Sequence, residues 1–123
     1  MIKSVGNAKL AHMIDGKLDK CIVESDNGHM AITIDIWHTA DIVEDIHYKV
    51  FKTDVKTGDD NIVASDVMWG YAFNSYSTYK LCIQDILDIL LKYTLDDIEC
   101  NKVSDLFMLV TLRLREIIGV FDD

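Results

Sequence analysis

The spacing of apolar residues changes once along this chain, and that change constrains the fold more than any other feature. From residue 29 to 37, Ile32, Ile34 and Ile36 alternate with neighbours that are mostly polar. A period of two is typical of a strand with one buried face. From residue 79 onward, apolar residues recur every three or four positions, which is the period of an amphipathic helix. Strands first and helices last predict an α+β fold with antiparallel pairing rather than alternating β-α-β units.

The strands are expected in the first 73 residues, as an antiparallel meander of about five strands. Asp15-Gly16 and the Asp26-Asn27-Gly28 turn separate the early strands, because glycine adopts positive φ without steric cost. The acidic segment 39–45 is expected to form one helical turn capped by Thr39. A length of 123 residues suits a single domain over residues 1–123. The predicted strands cover residues 9–14, 17–25, 29–37, 46–54 and 61–73.

Two helices are predicted in the last 47 residues, and together they cover the sheet. The first runs over residues 79–93, with Ser77 or Thr78 as its N-cap. The second runs over residues 105–118, after Ser104, and Gly119 ends it. Its apolar residues cover more of the circumference than one core-facing stripe needs, so it is either sandwiched or part of an interface. We therefore expect a homodimer through leucines predicted beside polar positions, namely Leu81, Leu91, Leu109 and Leu112.

The last predicted strand carries the most aromatic face of the chain. Val67, Trp69, Tyr71 and Phe73 recur at period two, which indicates one buried face. This face is expected to be core, together with the isoleucines of the third strand. An alternative is that the aromatic residues line a small-molecule pocket between sheet and helices.

The charge balance restricts the partners of the protein. Twenty-one acids against twelve bases give a net charge of −9 and a pI near 4.7. Such a field repels phosphate backbones, so we expect no direct binding to nucleic acid. The acidity serves either solubility or complementarity to a basic protein. The acids expected to bind that partner are Asp41, Glu44, Asp45, Asp59 and Asp60.

No motif in the sequence indicates catalysis, a metal or a cofactor. The histidines are dispersed, with no H-x-H or C-x-x-C spacing to define ligands. Ser77 and Lys80 match S-x-x-K in form only, because the companion motifs are missing. Three well-separated cysteines, without a signal peptide or a long apolar run, predict reduced thiols in a cytoplasmic protein that does not span a membrane.

The overall profile suggests a binding protein rather than an enzyme. Small size, strong acidity and the lack of catalytic motifs resemble bacterial immunity proteins and phage-encoded inhibitors of defence nucleases, including anti-CRISPR proteins. This resemblance implies an inhibitor that occludes a basic, nucleic-acid-processing target. The alternative is a non-catalytic assembly subunit or chaperone of a phage or secretion system, which the apolar surplus of the helices favours.

Overall fold

The computed structural model describes residues 1–92 and 98–119. Within them, a six-stranded antiparallel sheet precedes two helices, which confirms the predicted α+β class with one strand more than expected. The additional strand has only two residues. The elements are β1 (Ser4–Val5), β2 (Ala8–Met13), β3 (Leu18–Glu24), β4 (Met30–Thr39), β5 (Ile42–Thr53), β6 (Asp60–Trp69), α1 (Tyr76–Leu90) and α2 (Cys100–Ile118).

The sheet is a meander, in which each strand pairs with the next one along the chain. Gly16 and Gly28 have φ values of 79° and 73° in the two predicted glycine turns. The prediction of a helical turn at 39–45 is wrong. Thr39 is the last residue of β4, and two residues lead directly into β5. Ala40 has a φ of 48°, and positive φ is typical of the tight turns that close hairpins.

The core lies between one face of this sheet and the helices. Ile32, Ile34 and Ile36 are fully buried, as their alternation predicts. Cys21 and Val23 lie directly opposite two of them on β3 and are also fully buried. Helix α2 packs against β1, β2, β3 and β5, while α1 packs against β6 and α2.

Helix α2 is apolar around most of its surface because it is sandwiched between the sheet and α1. Leu109, which we expected beside solvent and at a dimer interface, is instead fully buried. Leu112 is partly buried. Leu81 and Leu91 are 62% and 53% exposed, so only these two leucines have the exposure that the prediction requires.

Both helices begin before their predicted starts. Ser75 caps α1, and its hydroxyl accepts a hydrogen bond from the backbone N–H of Thr78. Glu99 precedes α2 without a side-chain cap, so Ser104 lies inside the helix. Gly119 ends α2 with a φ of 70°, as predicted, whereas residue 93, the predicted end of the first helix, lies outside the described residues. In the described part of the chain, no helix is both long enough and apolar enough to cross a membrane.

Strand β6 departs from the predicted alternation. Its pairing with β5 contains two irregularities, and an extra residue in a strand shifts which side chains face inward. Met68 is therefore buried while Val67 is 47% exposed. Trp69 is partly buried and packs against the core, so it lies at the margin of the core that the pattern predicts. The strand ends there, and Phe73 returns to the sheet through a single bridge to Val43.

Candidate functional site

The five acids predicted to bind a partner lie at the two ends of β5. At its start, the turn before β5 contains Asp41, and the first residues of the strand include Glu44 and Asp45. At its far end, the connection to β6 contains Asp59, and β6 begins with Asp60. Strand β5 has twelve residues, which at about 3.3 Å per residue separates its ends by roughly 35 Å. The acids therefore form two groups, not one surface.

The first residues of β5 lie beside the segment that follows β6. Ile46 pairs with Trp69, and Val43 bridges to Phe73. The two β5 residues between these pairs therefore lie alongside residues 70–72. Ile46 and Val43 are fully buried, so they fix this part of the backbone to the core.

The two β5 residues at this point are Glu44 and Asp45. Glu44 is exposed, Asp45 is half-buried, and Trp37 of β4 pairs with Asp45 from the other side. Asp41 is exposed in the adjoining turn. Three carboxylates thus lie close together beside an aromatic side chain.

Tyr71 supplies a second aromatic side chain, and it is the most exposed one in the described chain. Its residue is 74% exposed, and its ring meets the edge of the Trp69 ring at a centroid distance of 5.7 Å. An edge-to-face contact of this kind holds an aromatic ring in place. At this end of the sheet, Trp37 and Asp45 share the outer face, whereas Trp69 pairs with the buried Ile46 at the edge. We call the following six residues of this end the acidic–aromatic surface: Trp37, Asp41, Glu44, Asp45, Trp69 and Tyr71.

The carboxylates of this surface have no ion-pair partner among the described residues. Glu44 accepts a hydrogen bond from the hydroxyl of Thr39 at 3.0 Å, which orients it without neutralising its charge. At the far end of β5 the negative charge of Asp59 and Asp60 is partly compensated, because Lys52 and Lys56 lie within the same hairpin. The acidic–aromatic surface is therefore the more strongly negative end of the strand.

Asp60 has a different environment from the other predicted acids. Its carboxylate accepts a hydrogen bond from the hydroxyl of Thr53. It also lines a cavity of about 300 Å³ whose wall includes Lys20, Glu24 and Phe51. This cavity carries charges of both signs, and it shares no residue with the acidic–aromatic surface.

Sequence reasoning missed a buried polar cluster around Asp19. This carboxylate is fully buried because its strand position faces inward, opposite Ile36. One oxygen, Oδ2, accepts a hydrogen bond from Nε of Arg113 at 2.6 Å and lies 3.0 Å from Nε2 of His38. The other oxygen contacts Nδ1 of His12. The cluster thereby connects β2, β3 and β4 to α2.

The cluster around Asp19 is better suited to stability than to chemistry. His38 is 7% exposed, so a substrate has little access to its ring. Among the described residues, no group of three or more His, Cys, Asp or Glu side chains is placed to hold a metal ion. Two signals in the sequence pointed to this cluster, namely an aspartate inside an apolar strand and Arg113 inside an apolar helix.

The remaining histidines and the cysteines form no further site in the described chain. His29 lies in the turn before β4 and His47 within β5, and neither belongs to a metal-holding group among the described residues. Cys21 and Cys82 are fully buried, and burial raises the pKa of the Cys82 thiol to about 12. Cys100 is exposed and, like the other two, is a free thiol.

These features define an α+β protein whose most distinctive surface is acidic and aromatic. Comparisons with protein-family models, with curated proteins and with solved structures found no match to this chain.

Proposed function

We propose that this protein binds a basic protein through the acidic–aromatic surface and inhibits it by occlusion, with a nucleic-acid-processing protein as the target. The observation that carries the proposal is Tyr71, which is 74% exposed although it is held against Trp69. An aromatic ring fixed at the surface offers a large contact area at low entropic cost, and Tyr and Trp are enriched among the residues that dominate binding energy.

The charges beside Tyr71 indicate the chemistry of the partner. Asp41, Glu44 and Asp45 present carboxylates that no described cation neutralises, in a protein of net charge −9. In a nucleic-acid-processing protein, Lys and Arg side chains bind the phosphates of the nucleic acid. These side chains could instead form ion pairs with the three carboxylates. Acids around an aromatic anchor also accelerate association, because opposite charges steer the encounter.

The test is capture followed by an activity measurement. Immobilised wild-type protein is expected to retain a basic protein from host lysate, and added soluble protein should suppress the nuclease or polymerase activity of the captured partner. Tyr71→Ala should lose at least about tenfold in affinity for it, as expected for an interface anchor. Val55→Ala is the matched control, because Val55 is 77% exposed at the other end of the sheet.

Two results would contradict the proposal. One is equal affinity of the Tyr71→Ala and Val55→Ala variants for the captured protein. The other is tight binding that leaves the activity of that protein unchanged, which would refute inhibition while leaving recognition in place.

A second candidate function is an assembly subunit, and two exposed leucines favour it. Leu81 and Leu91 are 62% and 53% exposed on α1. Burying a leucine contributes roughly 1.5–3 kcal/mol, so a partner helix has an energetic reason to cover them. With Leu109 buried, this apolar surface is smaller than the sequence predicted, which is why we place inhibition first.

A further inference from the structure

We propose that the basic partner contributes an extended strand that pairs with the edge strand β6, beside the acidic–aromatic surface. This inference rests on the proposed function and specifies its docking mode. Strand β6 is the last strand in the sheet order, so one side of its backbone has no neighbouring strand in the described chain. An edge of this kind is a template for pairing with an extended segment of another protein.

The exposure of β6 supports an interaction with a partner strand. Seven of its ten residues are exposed, including Ile62, Val63 and Val67 at 55%, 55% and 47%. β-branched side chains suit the pleated surface of a sheet, and here a partner strand would cover them. The other edge differs, since β1 has only two residues and is too short to pair with a long partner strand.

The regular part of this edge is short and adjoins the acidic–aromatic surface. Between the two irregularities in the β5–β6 pairing, residues 64–67 pair with His47–Val50 in unbroken register. Bulges discourage long pairing partners, so residues 64–67 set the length of the docked strand. Two residues later the chain reaches Trp69, and then Tyr71, so strand pairing and aromatic contact form one continuous surface.

Charge selects a basic segment over a second copy of this chain. Residues 61–79 contain a single charged residue, Asp66, and it is exposed. Each copy carries a net charge of −9, so two copies repel one another and self-pairing along this edge is disfavoured. A lysine or arginine on the partner strand would instead form a cross-strand ion pair with Asp66.

The experiment uses a capped octapeptide of alternating lysine and valine as the probe. Its control is the same peptide methylated on every backbone nitrogen, which keeps the lysine charges and removes every backbone N–H donor. Titration into ¹⁵N-labelled full-length protein is expected to shift the amide signals of residues 64–67 and to slow the hydrogen exchange of those N–H groups that point away from β5. The methylated peptide should bind at least about tenfold more weakly, since several backbone hydrogen bonds are lost.

Two variants separate the edge from general electrostatics. Asp66→Asn is expected to weaken binding of the unmethylated peptide, whereas Asp88→Asn on the exposed face of α1 should leave it unchanged. Equal affinity of the two peptides overturns strand pairing, as does absence of binding by both. Dimerisation through β6 would also overturn it, with a second copy as the occupant. None of these outcomes refutes the proposed function, which is tested separately by Tyr71→Ala and by charge reversal at Asp41 and Glu44.

Discussion

Replacing Asp19 by asparagine is expected to destabilise the protein by about 3–5 kcal/mol, the usual cost of removing one partner from a buried ion pair. The Asp19 side chain is 0% exposed and Arg113 is 13% exposed, so water cannot substitute for the lost charge. An oxygen of the Asp19 carboxylate also lies 3.0 Å from Nε2 of His38, and the other oxygen contacts Nδ1 of His12. An asparagine keeps the shape but presents one N–H₂ group to a site made of donors, which leaves buried donors unsatisfied.

This loss is large relative to the stability of a chain of this size. At about 0.05–0.15 kcal/mol per residue, 123 residues correspond to a free energy of unfolding of roughly 6–18 kcal/mol. Urea unfolding followed by the fluorescence of Trp37 and Trp69 measures the change. With a slope of about 2 kcal/mol per molar urea, the midpoint should fall by about 2 M.

Asp35→Asn is the matched control, because Asp35 is also buried in the sheet. It is 5% exposed, but its ion-pair partners Lys20 and Lys49 are 3.7 and 3.9 Å away. The Lys20 and Lys49 side chains are 29% and 39% exposed, and pairs with such solvated cations contribute about 1 kcal/mol or less, so the midpoint of Asp35→Asn should move less than that of Asp19→Asn. Equal effects of the two substitutions would refute the argument, because burial alone and not the partners of Asp19 would then determine the cost.

Burial and exposure lead to four further predictions. Ile34 is fully buried, so Ile34→Asp should leave an unpaired charge in the core and abolish the cooperative thermal transition that circular dichroism measures. A melting temperature within a few degrees of wild type would contradict the assignment of Ile34 to the inner face of the sheet. Burial raises the pKa of the Cys82 thiol from 9.0 to about 12. The stabilisation that comes from keeping this thiol protonated in the folded state is therefore complete below pH 9 and is lost as the pH rises toward 12. Between pH 8 and 10 the free energy of unfolding should therefore fall by roughly 1 kcal/mol on account of this thiol, and the Cys82→Ala variant should lack that component in urea titrations. In the native protein one of the three free cysteines, the exposed Cys100, should react with a thiol reagent, and rapid labelling of all three would contradict the packing. If Leu81 and Leu91 mediate self-association, light scattering should give a dimer mass for wild type and a monomer mass for Leu81→Gln/Leu91→Gln; a wild-type monomer at micromolar concentration would refute that interface.

The sequence predicted the fold class because local patterns and the tertiary fold agree over most of the chain. The alternation of Ile32, Ile34 and Ile36 identified the inner face of β4, and Gly119 identified the end of α2. The pattern failed where tertiary contacts decide the outcome. Leu109 lies on a helix buried from two sides, and a single helical stripe cannot reveal a second packing surface.

The candidate site was only partly predictable for similar reasons. Charge alone identifies Asp41, Glu44 and Asp45, but only the pairing of β5 with β6 and Phe73 shows that the backbone of Glu44 and Asp45 runs alongside residues 70–72. The bulges in that pairing turned Val67 outward, and a bulge leaves little trace in the alternation of a single strand. The cluster around Asp19 joins residues up to 94 positions apart, so no local motif describes it.

The central claim is that the acidic–aromatic surface, and not acidity in general, recognises the basic partner. The most direct test compares the association rates of two charge-reversed proteins with the captured partner by stopped flow, at low salt and at 0.5 M salt. Asp41→Lys/Glu44→Lys and Asp59→Lys/Asp60→Lys each move the net charge from −9 to −5, and all four residues are exposed. Because the two pairs are about 35 Å apart and exposed charges are screened beyond about 8 Å at physiological salt, their effects should differ. We expect the first variant to associate at least about tenfold more slowly at low salt, with the deficit shrinking at high salt, and the second to slow less than about threefold. Equal rates for the two variants would contradict the claim and would leave the acidity with no localised role in binding.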